Sequence, residues 1–143
     1  MLGAQFEEGR GKRTGRRVIA TEPQFKVEVS FEELTTLLGV QGMNIGTYVS
    51  SNKPDGSLTG EGEGVFASME GDIVTWKGMG VGQFGAGGAV NYCGCLTYTT
   101  TSKKLAKLNG ISGVFQFEVD AEGNTHSRTW ELAPAGASQR TAA

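Results

Sequence analysis

The chain has 143 residues, 38% of them hydrophobic and 20% charged, which suits one domain that buries roughly two-thirds of the surface its unfolded form exposes. Thirteen basic against fifteen acidic residues leave a formal net charge of -2, which excludes a global field favouring nucleic acid or an anionic membrane, and no apolar run is long enough to span a bilayer as a helix. The unusual quantity is glycine, with 23 residues against 3 prolines, about twice the ordinary share of roughly 7%.

The start, MLGAQFEEGRGKRTGRR, has no apolar core after its charges, so it does not read as a secretory signal and a cytoplasmic chain is expected. GRGKRTGRR reads as a basic, glycine-broken approach, over about residues 1–15, to a strand at RRVIA around Val18. FKVEVSFEEL, residues 25–34, alternates: Phe25, Val27, Val29 and Phe31 face one way and Lys26, Glu28, Ser30 and Glu32 the other, as in a half-buried antiparallel strand. MNIGTYVSS, 43–51, is a further strand, ended by the turn chemistry of Asn52, Pro54, Asp55 and Gly56. LTGEGEGVFAS, 58–68, and DIVTWKGMGVGQF, 72–84, form a hairpin about Glu70-Gly71. GAGG, 85–88, turns the chain into AVNYCGCLTYTTT, rich in Thr, Val and aromatic residues. SKKLAKLNG, 102–110, is the one helix-like piece, ending at Asn109-Gly110 as a left-handed cap. GVFQFEVD from 113, the AEGN turn and HSRTWEL make the last hairpin, and APAGASQRTAA, 133–143, is a flexible tail.

About eight strands with short connections predict an all-β antiparallel domain over residues 1–132, an eight-stranded closed barrel with one short helical turn. A Greek-key sandwich is the rival architecture. Period-two glycines at 60, 62, 64 and at 78, 80, 82 favour the barrel, because glycine serves where strands bend or backbones approach closely.

Candidate chemistry depends on register. Pairing the hairpin arms so that opposed numbers sum to 141 sets Gly78 against Glu63, Gly80 against Glu61 and Trp76 against Val65, each glycine facing a larger residue. A three-residue loop would put glycine against glycine. A sum near 109 in the preceding hairpin sets Tyr48 against Glu61. The resulting cluster makes Glu61 and Glu63 the candidate catalytic carboxylates and Tyr48, Val65 and Trp76 the candidate ligand-binding residues. Were this face internal, burial would raise a carboxylate toward working pH for general acid or base catalysis. The competing reading is that both glutamates are solvated outward residues and the glycines line the interior.

Other constellations point to no chemistry. Cys93 and Cys95 face the same way on a strand, fit a mutual disulfide poorly and are expected to be reduced, buried thiols. With one distant histidine, His126, they make no zinc site, so neither a metal nor another cofactor is expected. GEGEG and GMGVG lie between strands, unlike phosphate-cradling loops that open a helix. The basic residues Arg10, Lys12, Arg13, Arg16 and Arg17 read as a solvated, edge-protecting arm, and no nucleic-acid or membrane partner is expected.

The succession GRGKRTGRRVI, VEVSFE, IGTYVS, DGSLTGEGEGV, KGMGVG, SKKLAKLNGISGVFQFEVDAEGN and TWEL, spanning residues 10–132, resembles a group of small uncharacterised bacterial proteins similar to the allene-oxide-cyclase-like barrels of the calycin type. That resemblance implies an eight-stranded barrel whose interior holds a small hydrophobic molecule, with isomerisation or cyclisation by confinement as the associated chemistry. The calycin Gly-x-Trp signature is replaced here by Gly46-Thr47-Tyr48, out of position, which argues against lipocalin-like transport. The expectation is therefore a barrel for a small apolar or amphipathic ligand. The alternative is a solid, noncatalytic barrel acting as a homo-oligomeric interaction module.

Overall fold

Period-two alternation runs through most of the strands, and in the computed structural model, which describes residues 2–132, the sheet closes on itself. The strands are β1 (Leu2–Ala20), β2 (Lys26–Leu37), β3 (Val40–Asn52), β4 (Leu58–Ser68), β5 (Ile73–Phe84), β6 (Val90–Thr100), β7 (Ser112–Val119) and β8 (Asn124–Leu132). Each pairs antiparallel with the next and β8 returns to β1, giving a closed eight-stranded up-and-down barrel. The barrel expectation holds over the sandwich. The tail expected at 133–143 lies outside the described residues.

Two local expectations are corrected. The basic approach is itself strand: β1 is continuous from Leu2 to Ala20, with Glu7–Ala20 paired to β2 and Leu2–Lys12 to β8. The piece around 102–110 ends in a 3-10 turn, Ala106–Gly110, without a left-handed glycine. The Asn109 side chain anchors it instead, accepting from the Thr100 N–H at 2.9 Å and donating to the Thr100 carbonyl at 3.0 Å.

Odd-numbered residues of β2, β7 and β8 and even-numbered residues of β3 to β6 face inward. Two apolar clusters fill the ends. Leu37, Phe66, Val74 and Tyr98 pack with Leu105, Leu108 and Ile111, which close one end; Phe31, Leu58, Tyr92, Phe117 and Val119 form the other. Trp76 packs against both.

The β4–β5 register departs from the expected one, and the outcome decides what the hairpin shows to the interior. Opposed numbers sum to 140, with Gly60 facing Gly80, Gly62 facing Gly78 and Gly64 facing Trp76. The Ser68 N–H donates to the Asp72 carbonyl at 2.9 Å, leaving residues 69–71 as a three-residue loop, and Gly71 takes the left-handed turn at φ +93°. The empty strip that seemed to forbid this pairing is filled from elsewhere. A Cβ on Gly60 would stand 2.9 Å from the Tyr92 ring and one on Gly46 2.7 Å from both Phe31 and Trp76. Inward glycines make room for rings anchored on other strands. In the β3–β4 hairpin, Tyr48 faces Gly62, not Glu61.

Cys93 and Cys95 are free, as expected, but exposed, because Tyr92, Leu96 and Tyr98 take the inward positions of β6. Among the described residues no helix is long and apolar enough to cross a membrane.

Candidate functional site

Between the apolar ends lies a cavity of about 90 Å³. One wall is aromatic. Phe31 approaches Phe117 at 4.8 Å and Trp76 at 6.3 Å between ring centroids, and Tyr48 stands edge-on to Phe117 at 5.7 Å. The Trp76 indole N–H donates to Asn44 Oδ1 at 2.8 Å, which fixes the ring against β3. Backbone at Gly60, Gly62 and Gly78 bounds the cavity nearby.

The other wall is acidic and comes from β1, β2 and β8. Glu33, 1% exposed, and Glu7, 8% exposed, are buried and line the cavity. Strand β8 presents Thr125, Ser127 and Thr129 to them. Thr125 Oγ1 donates to Glu33 Oε2 at 2.8 Å and Thr129 Oγ1 to Glu7 Oε1 at 2.8 Å. The Ser127 hydroxyl sits between the remaining oxygens, 2.8 Å from Glu7 Oε2 and 2.7 Å from Glu33 Oε1. Gly9 makes this bridge possible. A Cβ there would stand 2.8 Å from Glu33 Oε1 and 3.0 Å from Ser127 Oγ, so glycine lets Glu33 reach over β1 to β8.

Proton counting follows from this geometry. Three hydroxyl protons serve four short oxygen–oxygen contacts, so the fourth hydrogen bond takes a proton from a carboxyl. The pair thus shares a proton through Ser127. Desolvation drives the same way: burial raises Glu7 to about 7, against the lowering effect of Ser127 and Thr129, and burial also raises Glu33. No ion pair among the described residues includes Glu7 or Glu33. Beside them the Tyr98 hydroxyl is buried with no hydrogen-bond partner among the described residues, and burial raises its phenol well above the ordinary range.

Of the residues proposed from sequence, the barrel brings Tyr48 and Trp76 to the cavity. Glu61, Glu63 and Val65 point outward and are exposed, as odd-numbered residues of β4. The expected five-residue cluster is therefore split by the pleat, since the true register places Glu61 against Met79 and Glu63 against Lys77 on the outer face. His126 is also turned away from the cavity, its Nε2 2.7 Å from Glu8 Oε2, and the hydrogen bond to His126 holds Glu8 below the usual carboxylate range. The acidic wall was missed in the sequence reading. Glu33 had a usable signal, because the inward series Phe25, Val27, Val29, Phe31 continues by twos to 33; Glu7, in AQFEEGRG, had none.

No family model matches the chain, and no curated protein does. Solved structures share the fold. A protein of unknown function from Clostridium acetobutylicum superimposes with a TM-score of 0.80 at 9% identity, covering 93% of this chain and 98% of that one. A β-barrel-like protein from Acinetobacter baumannii gives 0.77 at 10%, covering 93% and 96%. An enzyme from Penicillium herquei gives 0.64 at 13%, covering 90% and 92%. These likenesses establish the barrel shared with bacterial proteins of unknown function.

Chemically, the site offers an apolar surface for a carbon body and, opposite it, two carboxyl groups that can accept hydrogen bonds and pass a proton. Burial raises Glu7 to about 7, a range in which a carboxyl can act as acid or as base.

Proposed function

We propose that this barrel binds a small amphipathic molecule in its cavity and exchanges a proton with it through Glu7 and Glu33, as an isomerase or cyclase acting on a confined substrate. The observation that carries this reading is the facing of an aromatic wall by a buried, proton-sharing acid pair across a cavity of about 90 Å³. One carboxylate takes a proton from the bound molecule and the pair returns one at another atom, so no atoms are gained or lost. Confinement supplies orientation, the part of catalysis that needs no recognisable triad. The resemblance to allene-oxide-cyclase-like barrels and the enzyme from Penicillium herquei on a similar barrel support catalysis as compatible with the fold. Two exposed free thiols suit a reducing, cytoplasmic setting.

The test is binding. A dry cavity of about 150 Å³ takes benzene, so this one suits molecules of about four heavy atoms. Propan-1-ol, acetone and propylamine, titrated in turn, are expected to give at least one saturable shift of the Trp76 indole N–H resonance while Trp130, half-buried outside the cavity lining, stays in place. Three unsaturable titrations would remove the reading.

The outer face favours a second reading. Leu34, 71% exposed, pairs with Met43, and Ala67 continues the row to Ile73; Ile45 and Val65 lie beside them, all outward. Such an exposed aliphatic strip suits docking against a second copy of the chain. Sedimentation of the purified protein decides it, a dimer supporting this interface and a monomer at high concentration removing it.

A further inference from the structure

We infer that the molecule this cavity selects is a small organic cation, an alkylammonium whose nitrogen sits at the Glu7–Glu33 pair and whose carbon body lies against Phe31, Trp76 and Phe117. The inference rests on the ligand-binding reading above and adds to it the charge and chemical class of the ligand.

The first support is the uncompensated charge. With at most one proton shared through Ser127, the two carboxyl groups retain at least one negative charge inside the barrel, at pH 8 included, and none of the ion pairs among the described residues reaches it. A buried charge without a partner is costly, and natural sites pair it. The chain itself supplies hydroxyls there and the exposed His126–Glu8 pair only on the outer face of β8 and β1. A cationic ligand completes the pair.

The second support is the direction of the hydrogen bonds. All three hydroxyl protons of β8 are already committed to the carboxyl oxygens, and the acid proton to Ser127. Toward the cavity the pair can therefore only accept, and an ammonium group only donates. The Tyr98 hydroxyl oxygen, buried and unpartnered among the described residues, is a further acceptor beside Glu7 for another N–H of the same group.

The third support is the opposite wall. Phe31 stands two residues before Glu33 on the same inward face of β2, and Asn44, which holds the Trp76 indole, is the direct cross-strand partner of Glu33. Rings and carboxyl thus meet at one place. Ring faces attract a cation electrostatically, most strongly for tryptophan and when the site is desolvated. A neutral hydrocarbon leaves the acid pair unanswered, an anion is repelled by it, and a neutral alcohol offers it a donor but no charge.

The probes are propylamine and propan-1-ol, equal in heavy atoms, titrated at pH 8 into the wild-type protein, into Glu7→Gln and into the double variant Glu7→Gln/Glu33→Gln. At this pH the amine is protonated, as a primary amine with a pKa near the lysine value of about 10.4. Each glutamine keeps the shape and a hydrogen-bonding end; one alone leaves the other carboxylate to carry the charge, and only the double variant removes it. Propylamine is expected to bind the wild type and Glu7→Gln at least ~10-fold tighter than propan-1-ol, and the double variant to lose that preference while binding propan-1-ol as before, a ~10-fold ratio being about 1.4 kcal/mol. Equal or tighter binding of propan-1-ol by the wild type overturns the cation and leaves the ligand-binding reading standing. Binding of neither compound overturns both. A preference retained in the double variant also overturns the inference, since the charge would then not come from the pair.

Discussion

Glu7 carries the clearest stability signature in the molecule. Its carboxyl is raised from 4.5 to about 7 because folding strips it of water, so between those values the folded chain holds a proton that the unfolded chain has lost. Folding is then favoured by acid: this contribution is fully present below about 4.5 and is lost as pH rises through about 7. A shift of this size corresponds to about 3 kcal/mol across the window. Glu7→Gln replaces the proton with a permanent N–H donor toward Ser127 and removes the charge. The variant is expected to be more stable than wild type by about 1–3 kcal/mol at pH 8 and nearly equal to it at pH 4, read from urea midpoints at the two pH values. A wild-type protein whose stability rises from pH 5 to pH 8 relative to Glu7→Gln would contradict the assignment. Tyr98 belongs to the same scale: its ring packs with Leu37, Phe66 and Val74, and burial beside the Glu7 carboxyl raises its phenol above the ordinary range.

At the scale of single strands, most of the barrel was legible in the sequence and most of the site was not. Alternation in FKVEVSFEEL gave the inward face of β2 as far as Phe31, and two further residues along the same face lead to Glu33 and Thr35, both buried. A glutamate inside a barrel contradicts its ordinary solvation, and only β8, distant in sequence, provides the hydroxyls that make it tolerable. Hairpin register failed for a related reason. Facing glycines in β4 and β5 looked like lost packing within the pair, whereas the volume is taken by Tyr92 and Trp76, which stand over that wall from β6 and from β5 itself. Glycine over residues 9–15 looked like a broken arm; Gly9 and Gly11 are strand positions under the Glu33 crossing. A local pattern fixes which way a strand alternates. It does not state what reaches across from a strand not adjacent in sequence.

For the whole molecule, the acid pair occupies the seam at which the sheet becomes a barrel. Closure joins β1 to β8, the first strand to the last, and Glu33 adds a second connection by binding β8 from β2 over the top of β1. The seam therefore depends on three strands held through one hydroxyl, Ser127, as well as on backbone pairing. Removing that hydroxyl leaves a carboxyl oxygen of Glu7 and one of Glu33 without their hydrogen-bond partner, and each unsatisfied buried group costs about 1–3 kcal/mol. It also removes the hydrogen bond that lowers both carboxyls, so Ser127→Ala raises them further and extends the pH-dependent loss of stability above neutral pH. The change is expected to be local first. Amide exchange in Ser127→Ala should quicken together in β1, β8 and the end of β2 near Glu33, while β4 and β5, bound by their own ladder across the barrel, keep wild-type protection at moderate denaturant. Uniform loss of protection around all eight strands would mean that the barrel opens as one cooperative unit and that the acid pair has no special hold on its closure. The two buried carboxyls also tie the last strand to the first two, so a propylamine titration that protects amides along the seam, and not in β4 and β5, is the outcome expected if the proposed ligand binds at the pair.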